Sequence, residues 1–453
     1  MVVQFVYINI FYINGGIVFP NRKLFTFSFA VLIILSTLFY HPTQASAIVE
    51  FTFIVDNTMD MPDFAIGNSV CSAGQPTGGP CTLRAAISEA NANLSDGPVT
   101  ILVPPGVYTL VIPPSSPDHN NHGDLNINAT NSANLIIIQP TQPDGVVLIS
   151  TSPSFNDRIL SVGWGAHVIM RGINFSGSHL VLDVTNQTGG GAILNDGSLI
   201  LEETGFVANS VTCAQGANCT SNLNGGAILN YGDLIVSDTT FVNNSADRGY
   251  AIFNAGGAPN CQINHSLFTQ NTGGSGTITN YSTMTIVNST LSGNFSSSSW
   301  FAGVINDGVG VMRMQSCTIA NEGAASSIVS SGTVHVSDSI FLAQPEKGNF
   351  YNSGGTWNSG GYNIFSDDGD PVPTTTGDLI NTDPMLEGLG NYGGPTMTHG
   401  LQMNSPAINH RPGNCATALY IIEDDQRHQP RSDGRCDSGA FELGRFYLPV
   451  IIK

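Results

Sequence analysis

The chain has 453 residues, carries 14 Lys+Arg against 33 Asp+Glu for a formal net charge of −19, and is only 10% charged, against roughly a quarter in ordinary soluble domains. Too few Lys, Glu and Arg are present to solvate the outer faces of many helices, which excludes an all-α or doubly wound α/β fold; 41% hydrophobic residues exclude wholesale disorder. A Lys-poor, acidic surface repels phosphate backbones and excludes nucleic acid as a partner, and 51 Gly with 24 Pro point to a β-rich, turn-rich protein.

Asn21-Arg22-Lys23, the apolar run 24–40 and Ala45-Ser46-Ala47 have the three parts of a secretory signal, with cleavage expected after Ala47. The run is near the lower length limit for a membrane span, so an N-terminal anchor is the alternative, and no span is expected in the mature chain. Residues 1–17 fit badly before an n-region, and translation is expected to start near Val18. Export makes the cysteines candidates for disulfides. Cys71/Cys81 and Cys213/Cys219 are close in sequence among Gly, Pro and Asn, and Cys415/Cys436 bracket a polar segment. Zinc is the alternative, but no C-x-x-C or H-x-x-x-H spacing occurs.

Thr82 is a predicted helix N-cap, and Leu83, Ala86, Ile87 and Ala90 form one apolar stripe behind it. The segment Cys81-Thr82-Leu83-Arg84-Ala85-Ala86-Ile87-Ser88-Glu89-Ala90-Asn91 resembles the CSLREA domain of bacterial exported proteins. A short helix laid over the open end of a β-stack would cover its unpaired first coil. Strands 99–103 and 107–110, with the turn Pro104-Pro105-Gly106 between them, enter that coil.

An internal repeat organises the middle of the chain. Gly190–Asn195 (GGAILN) recurs as Gly225–Asn230, and each copy is followed at the same distance by LILEETGFVAN (199–209) or LIVSDTTFVNN (234–244). Weaker copies start at Cys261, Met284, Met312 and Val334, and an earlier one starts at Val168. Aligned on the anchors Phe206, Phe241, Phe268, Leu291, Ile319 and Phe341, the seventh and fifth preceding positions are always apolar, and the sixth becomes polar in later coils. Period-two alternation means a strand with one face inward, so the repeat predicts a solenoid. Thr204, Thr239, Ser266, Ser289, Cys317 and Ser339 form one column of small groups; Asn195, Asn230, Asn254, Asn280 and Asn306 form an expected ladder beside Gly-rich turns. The fold expected is all-β, a single-stranded right-handed parallel β-helix with a short N-terminal capping helix and a loop-rich C-terminal cap. Cys261 and Cys317 fall in different columns two coils apart, roughly 10 Å at the strand spacing, beyond disulfide reach, and are expected reduced and buried. GGAI followed by Phe-x-x-Asn resembles the repeat of chlamydial polymorphic outer-membrane proteins.

Near the C-terminus, Gly361-Tyr362-Asn363-Ile364, Asp383-Pro384-Met385-Leu386, Gly393–His399, Ser405-Pro406-Ala407-Ile408, Asp425-Gln426-Arg427 and Cys436–Glu442 resemble the choice-of-anchor Q domain of surface proteins. The sequence departs from that pattern at Asn391-Tyr392, Asn409 and His428. The expected organisation is a signal at 1–47, an N-terminal cap at 48–98, the β-helix at 99–345, the C-terminal module at 346–443 and an apolar tail at 444–453.

Fold alone assigns no chemistry. Asn381-Thr382-Asp383, Asp367-Asp368 and Thr398-His399-Gly400 echo polygalacturonase motifs, but in a different order. The third residue before each anchor is Glu203, Asp238, His265, Asn288, Ser316 and Asp338. A turn column of side chains bonding nearby amides is the expected role; Glu203, Asp238 and His265 are the catalytic or cation-binding candidates within it. His399, Asp425, Arg427, Arg431, Asp437 and Glu442 are expected to form a structural Arg–carboxylate network. No cofactor is required; Ca²⁺ is the ion that Asp56, Asp60, Asp63, Asp118 and Asp124 would accept, although their spacing is not that of an EF-hand. The reading is an exported, adhesin-like or glycan-binding protein whose partners are extracellular glycans or cell-surface components. The alternative is a polysaccharide lyase or glycoside hydrolase.

Overall fold

The computed structural model describes residues 50–93, 97–115, 120–128, 135–183, 188–217, 219, 223–297, 303–320, 323, 326–344, 347–372, 374–413, 422–431 and 434–444. The expected signal segment and Cys415 lie outside the described residues. So does the expected apolar tail beyond residue 444.

Four parallel sheets run along the stack. Sheet 1 has 11 strands, sheet 2 has 10, sheet 3 has 9, and a short side sheet has 5. One coil shows the plan: Ser198–Glu202 lies in sheet 1, Gly205–Val207 in sheet 2, Ser210–Cys213 in the side sheet and Ile228–Asn230 in sheet 3. Chain-adjacent coils pair in register, Leu199 opposite Leu234 and Phe206 opposite Phe241. This is a single-stranded right-handed parallel β-helix. The pairing covers more of the chain than 99–345. Phe51–Ile54 already pairs with the 99–103 strand, and Thr356–Ser359 and Ile364–Phe365 add rungs at the other end.

The repeat columns become stacks inside the coil. Phe175, Phe206, Phe241 and Phe268 are fully buried, with neighbouring ring centroids 5.0, 4.8 and 4.6 Å apart. These distances follow the strand spacing of about 4.8 Å, which fixes where each ring meets the next. The side-chain amide of Asn195 donates to Asn230 Oδ1 at 2.7 Å, and Asn230, Asn254 and Asn280 each donate to the next Asn at 2.8 Å. A second ladder, Asn209–Asn244–Asn271–Asn294, runs parallel at 2.9–3.0 Å. In αL at +67°, a Cβ on Gly225 would meet Ile228 O at 2.3 Å, and one on Gly226 would meet Tyr250 O at 2.1 Å, which explains the glycine pair of the repeat. Cys261 and Cys317 are reduced and buried, and burial pushes both thiols up to about 12.

Helix α1, Leu83–Ala92, closes the N-terminal end. Thr82 accepts from Ala85 N at 3.1 Å, and Leu83, Ala86, Ile87 and Ala90 are buried in the core of the stack. Arg84, beside that stripe, is 1% exposed. Its guanidinium takes Asp60 at 2.6 and 3.2 Å and the carbonyls of Asn120, Gly123 and Asp124 at 2.7–3.1 Å. A disulfide joins Cys71 to Cys81 just before the helix, and another joins Cys213 to Cys219 beside the side sheet.

The described residues between 383 and 444 do more than cap an end. They lie along the flank of the stack, with Thr398 Oγ1 2.9 Å from Thr290 Oγ1, Ala440 N donating to Thr318 Oγ1 and Ser438 Oγ donating to Tyr362 O. Leu401, Ala407 and Phe441 cover Ile340. Among the described residues no helix is long and apolar enough to cross a membrane.

Candidate functional site

The third column before the anchors is the corner between sheets 1 and 2. Glu203, Asp238, His265, Asn288, Ser316 and Asp338 all adopt αL, with φ between 45° and 54°. Such corners cost non-glycine residues free energy unless short polar side chains bond locally. Here most of those side chains are engaged by the flank module. His428 Nε2 lies 2.7 Å from Asp238 Oδ1, and Asp424 Oδ1 lies 3.2 Å from His265 Nε2. Asn288 donates to Asp424 O at 3.0 Å and accepts from Arg431 at 3.2 Å. Arg411 pairs with Asp338 at 2.9 Å. Glu203, one coil before Asp238, is exposed and outside this group.

Asp238, His265 and His428 are thereby gathered from two coils and the module, each offering a ligand atom within 4.8 Å of the others. Asp424 Oδ2 lies 3.0 Å from His428 Nδ1, and the two imidazole rings are 4.4 Å apart. Burial works against the charged His428 ring, but its hydrogen bonds to Asp424 and Asp238 outweigh this and leave its pKa raised. Burial would raise Asp424, and His428 and His265 beside it hold it below the usual carboxylate range. An open groove of about 630 Å³ borders the group, lined by Gln262, Asn264, Thr285, Asn288 and Glu423 among others. Sequence reasoning reached Asp238 and His265 through the repeat. It passed over His428 because the resemblance marked that position only as a departure.

The expected polar cluster is engaged throughout. Arg427 takes Asp425 at 2.9 and 2.6 Å and lies 3.6 Å over the Phe441 ring. Arg431, fully buried, takes Glu442 at 2.9 Å and the carbonyls of Asp437 and Gly439. Asp437 accepts from Asn409 N and Leu443 N. His399 joins Ser292 Oγ at 2.9 Å to Glu387 O at 2.8 Å, and burial lowers its pKa.

Among the described residues the N-terminal acids form no group that could hold a metal ion. Asp60 is spent on Arg84, Asp56 accepts from Cys81 N, Asp63 from Ser72 N, and Asp124 bonds Ser161 at 2.5 Å. Asp118 lies outside the described residues. Two imidazoles also make the Asp238 group a poor fit for Ca²⁺, which prefers six to eight oxygens. The polygalacturonase-like residues are used locally: Asp367 accepts from Asn349 and Asp383 from Met385 N.

A second concavity, about 330 Å³, lies on the outer face of sheet 3. Tyr281 and Tyr351 line it together with Arg248, Asp307, Ser331 and Ser353. Asp307 accepts from Ser331, from Gly308 N at 2.8 Å and from Tyr281 at 3.1 Å, and the Ser331 bond leads in holding its carboxyl low. Burial, and then Asp307, raise Tyr281. Phe253 lies beneath, 5.5 Å from the Tyr281 ring. Sequence analysis did not find this groove: its tyrosines, Arg248, Asp307 and serines lie between or after the repeat copies, outside the aligned columns.

The architecture and these grooves define a class, the parallel β-helix proteins with polar grooves on their lateral faces. Among solved structures the chain is similar to the crystal structure of pectate lyase Pel9A, at 16% identity over 88% of this chain and 98% of that one, with a TM-score of 0.41. The in-register strand pairings by themselves establish the fold. No protein-family model matches the chain, and no curated protein does.

Proposed function

We propose that this is an exported, non-enzymatic β-helix protein of the cell surface or extracellular medium that binds glycans on its lateral face. The observation carrying this reading is the groove on sheet 3. Tyr281 and Tyr351 supply ring faces for the apolar faces of sugar rings, while Arg248, Asp307 and the serines supply hydrogen bonds of both polarities. Two disulfides accord with an oxidising compartment. The corner column supports the non-enzymatic part: Asp238, His265, Asn288 and Asp338 are occupied in holding the module.

The test is a glycan-array and depolymerisation screen of the purified protein, with and without Ca²⁺. Retention on one glycan class without product release is expected. Tyr351→Ala should weaken that retention about tenfold, the scale of a central tyrosine anchor. Product release that Glu203→Ala or Asp238→Ala abolishes would replace this reading with a polysaccharide lyase or hydrolase.

A further inference from the structure

We infer that Asp238, His265 and His428 bind a first-row divalent transition-metal ion, Zn²⁺ in preference to Ca²⁺, and that the ion fastens the flank module to the β-helix.

The geometry is prepared from both sides. Asp238 and His265 occupy the same αL corner on adjacent coils, so strand pairing sets their separation. His428 arrives from the module, itself in αL at 62°. One atom from each falls within a 4.8 Å span, and small side-chain rotations bring such a set to the roughly 3.3 Å edge of a tetrahedron with metal–ligand bonds of 2.0–2.1 Å. Asp424 stands behind His428, 3.0 Å from Nδ1, and leaves Nε2 as the ligand nitrogen facing Asp238. A carboxylate on the remote imidazole nitrogen fixes the tautomer and orientation that a metal-binding histidine needs. The donor set decides the ion. Two imidazoles and a carboxylate suit Zn²⁺ and its neighbours; Ca²⁺ and Mg²⁺ would forgo oxygens they require. Arg431, whose Nη2 lies 3.2 Å from Asn288 Oδ1, is neutralised by Glu442 and does not leave a bare positive charge beside the site. Three protein ligands leave one position for water on a site that borders the 630 Å³ groove.

The ligands are distant in sequence, and no H-x-x-x-H spacing announces them. This binding is independent of the sheet 3 groove, so either reading can fail alone.

Untagged protein, stripped with chelator, is titrated with ZnCl₂, CoCl₂ and CaCl₂ by calorimetry, and Co²⁺ binding is followed by visible absorption. One Zn²⁺ per chain is expected, with Co²⁺ giving the intense visible bands of a four-coordinate site and Ca²⁺ failing to compete. His265→Gln and His428→Gln should each abolish stoichiometric binding with far-UV circular dichroism unchanged. Asp424→Asn, which keeps all three ligands, should weaken Zn²⁺ by about 10- to 100-fold. His179→Gln, on an exposed histidine of the side sheet, should change nothing. Zn²⁺ should also raise the melting temperature of the parent and not of His428→Gln. Absence of stoichiometric Zn²⁺ binding by the parent, or unchanged affinity in the two histidine variants, would overturn the assignment. Because the Co²⁺ spectrum is read on the parent protein, a variant that fails to fold does not rescue it.

Discussion

The corner column shows how one backbone requirement is met by different chemistry in each coil. Asp338 is its most deeply buried acid, fully inaccessible, with Arg411 at 2.9 Å. Burial pushes its carboxyl up to about 6, and Arg411 and Arg431 only partly offset this. The native state therefore holds a proton that the unfolded chain, near 3.9, has released. Stability from this group is fully present below the unfolded value and is lost as pH rises through about 6. Asp338→Asn does not titrate, so the parent's advantage over it should be larger at pH 4 than at pH 7, by about 2–3 kcal/mol. Urea unfolding of both proteins at the two pH values measures this, and an equal gap would refute it. The repeat made this column legible as a turn column of mostly short polar residues, expected to bond nearby amides. The partners were not legible, because Arg411, Asp424 and His428 come from a segment with no periodicity.

At the scale of the element, α1 carries two kinds of sequence signal. Its apolar stripe and Thr82 cap could be read directly, since spacing and capping chemistry are local. Arg84 could not: it sits among helix residues as any surface arginine would, yet it satisfies three loop carbonyls and Asp60. Asp60 in turn accepts from Val111 N and Ile112 N at 2.8 and 3.0 Å, so the ion pair joins the helix to the residues just after Gly106–Leu110, the first strand of sheet 2. Arg84→Met keeps length and removes the charge, leaving Asp60 buried without its counter-charge. It should cost about 3–5 kcal/mol, against about 1 kcal/mol for Thr82→Ala. Denaturant midpoints order the two, and a reversed order would mean that the ion pair is not what secures the helix. The second asparagine ladder was likewise present in the Phe-x-x-Asn pattern. Its meaning appeared only when each Nδ2 was seen to reach the next coil as well as the carbonyl of the preceding one.

For the whole molecule, the repeat disclosed the β-helix because stacked coils impose their columns on the sequence. It did not disclose the module's position, which depends on contacts far apart in the chain. A stack of repeats is held by neighbour contacts and can open anywhere along its length. Contacts from Asp238 to Tyr362 set the covered coils apart from those before them. Amide hydrogen exchange should be slower in the sheet 2 strands from Thr240 to Leu342 than in those from Gly106 to Ser176. Equal protection would show that the module contributes no cooperativity.

The flank position also determines how the protein carries load. Tension entering through residue 444 and leaving through the stack acts along a seam of hydrogen bonds and ion pairs, Asp424 to His265, Thr398 to Thr290, Ala440 to Thr318 and Arg411 to Asp338, that lie on successive coils. Such a seam is loaded in shear, with many bonds sharing the force, whereas a module seated on the end of the stack would peel away one bond at a time.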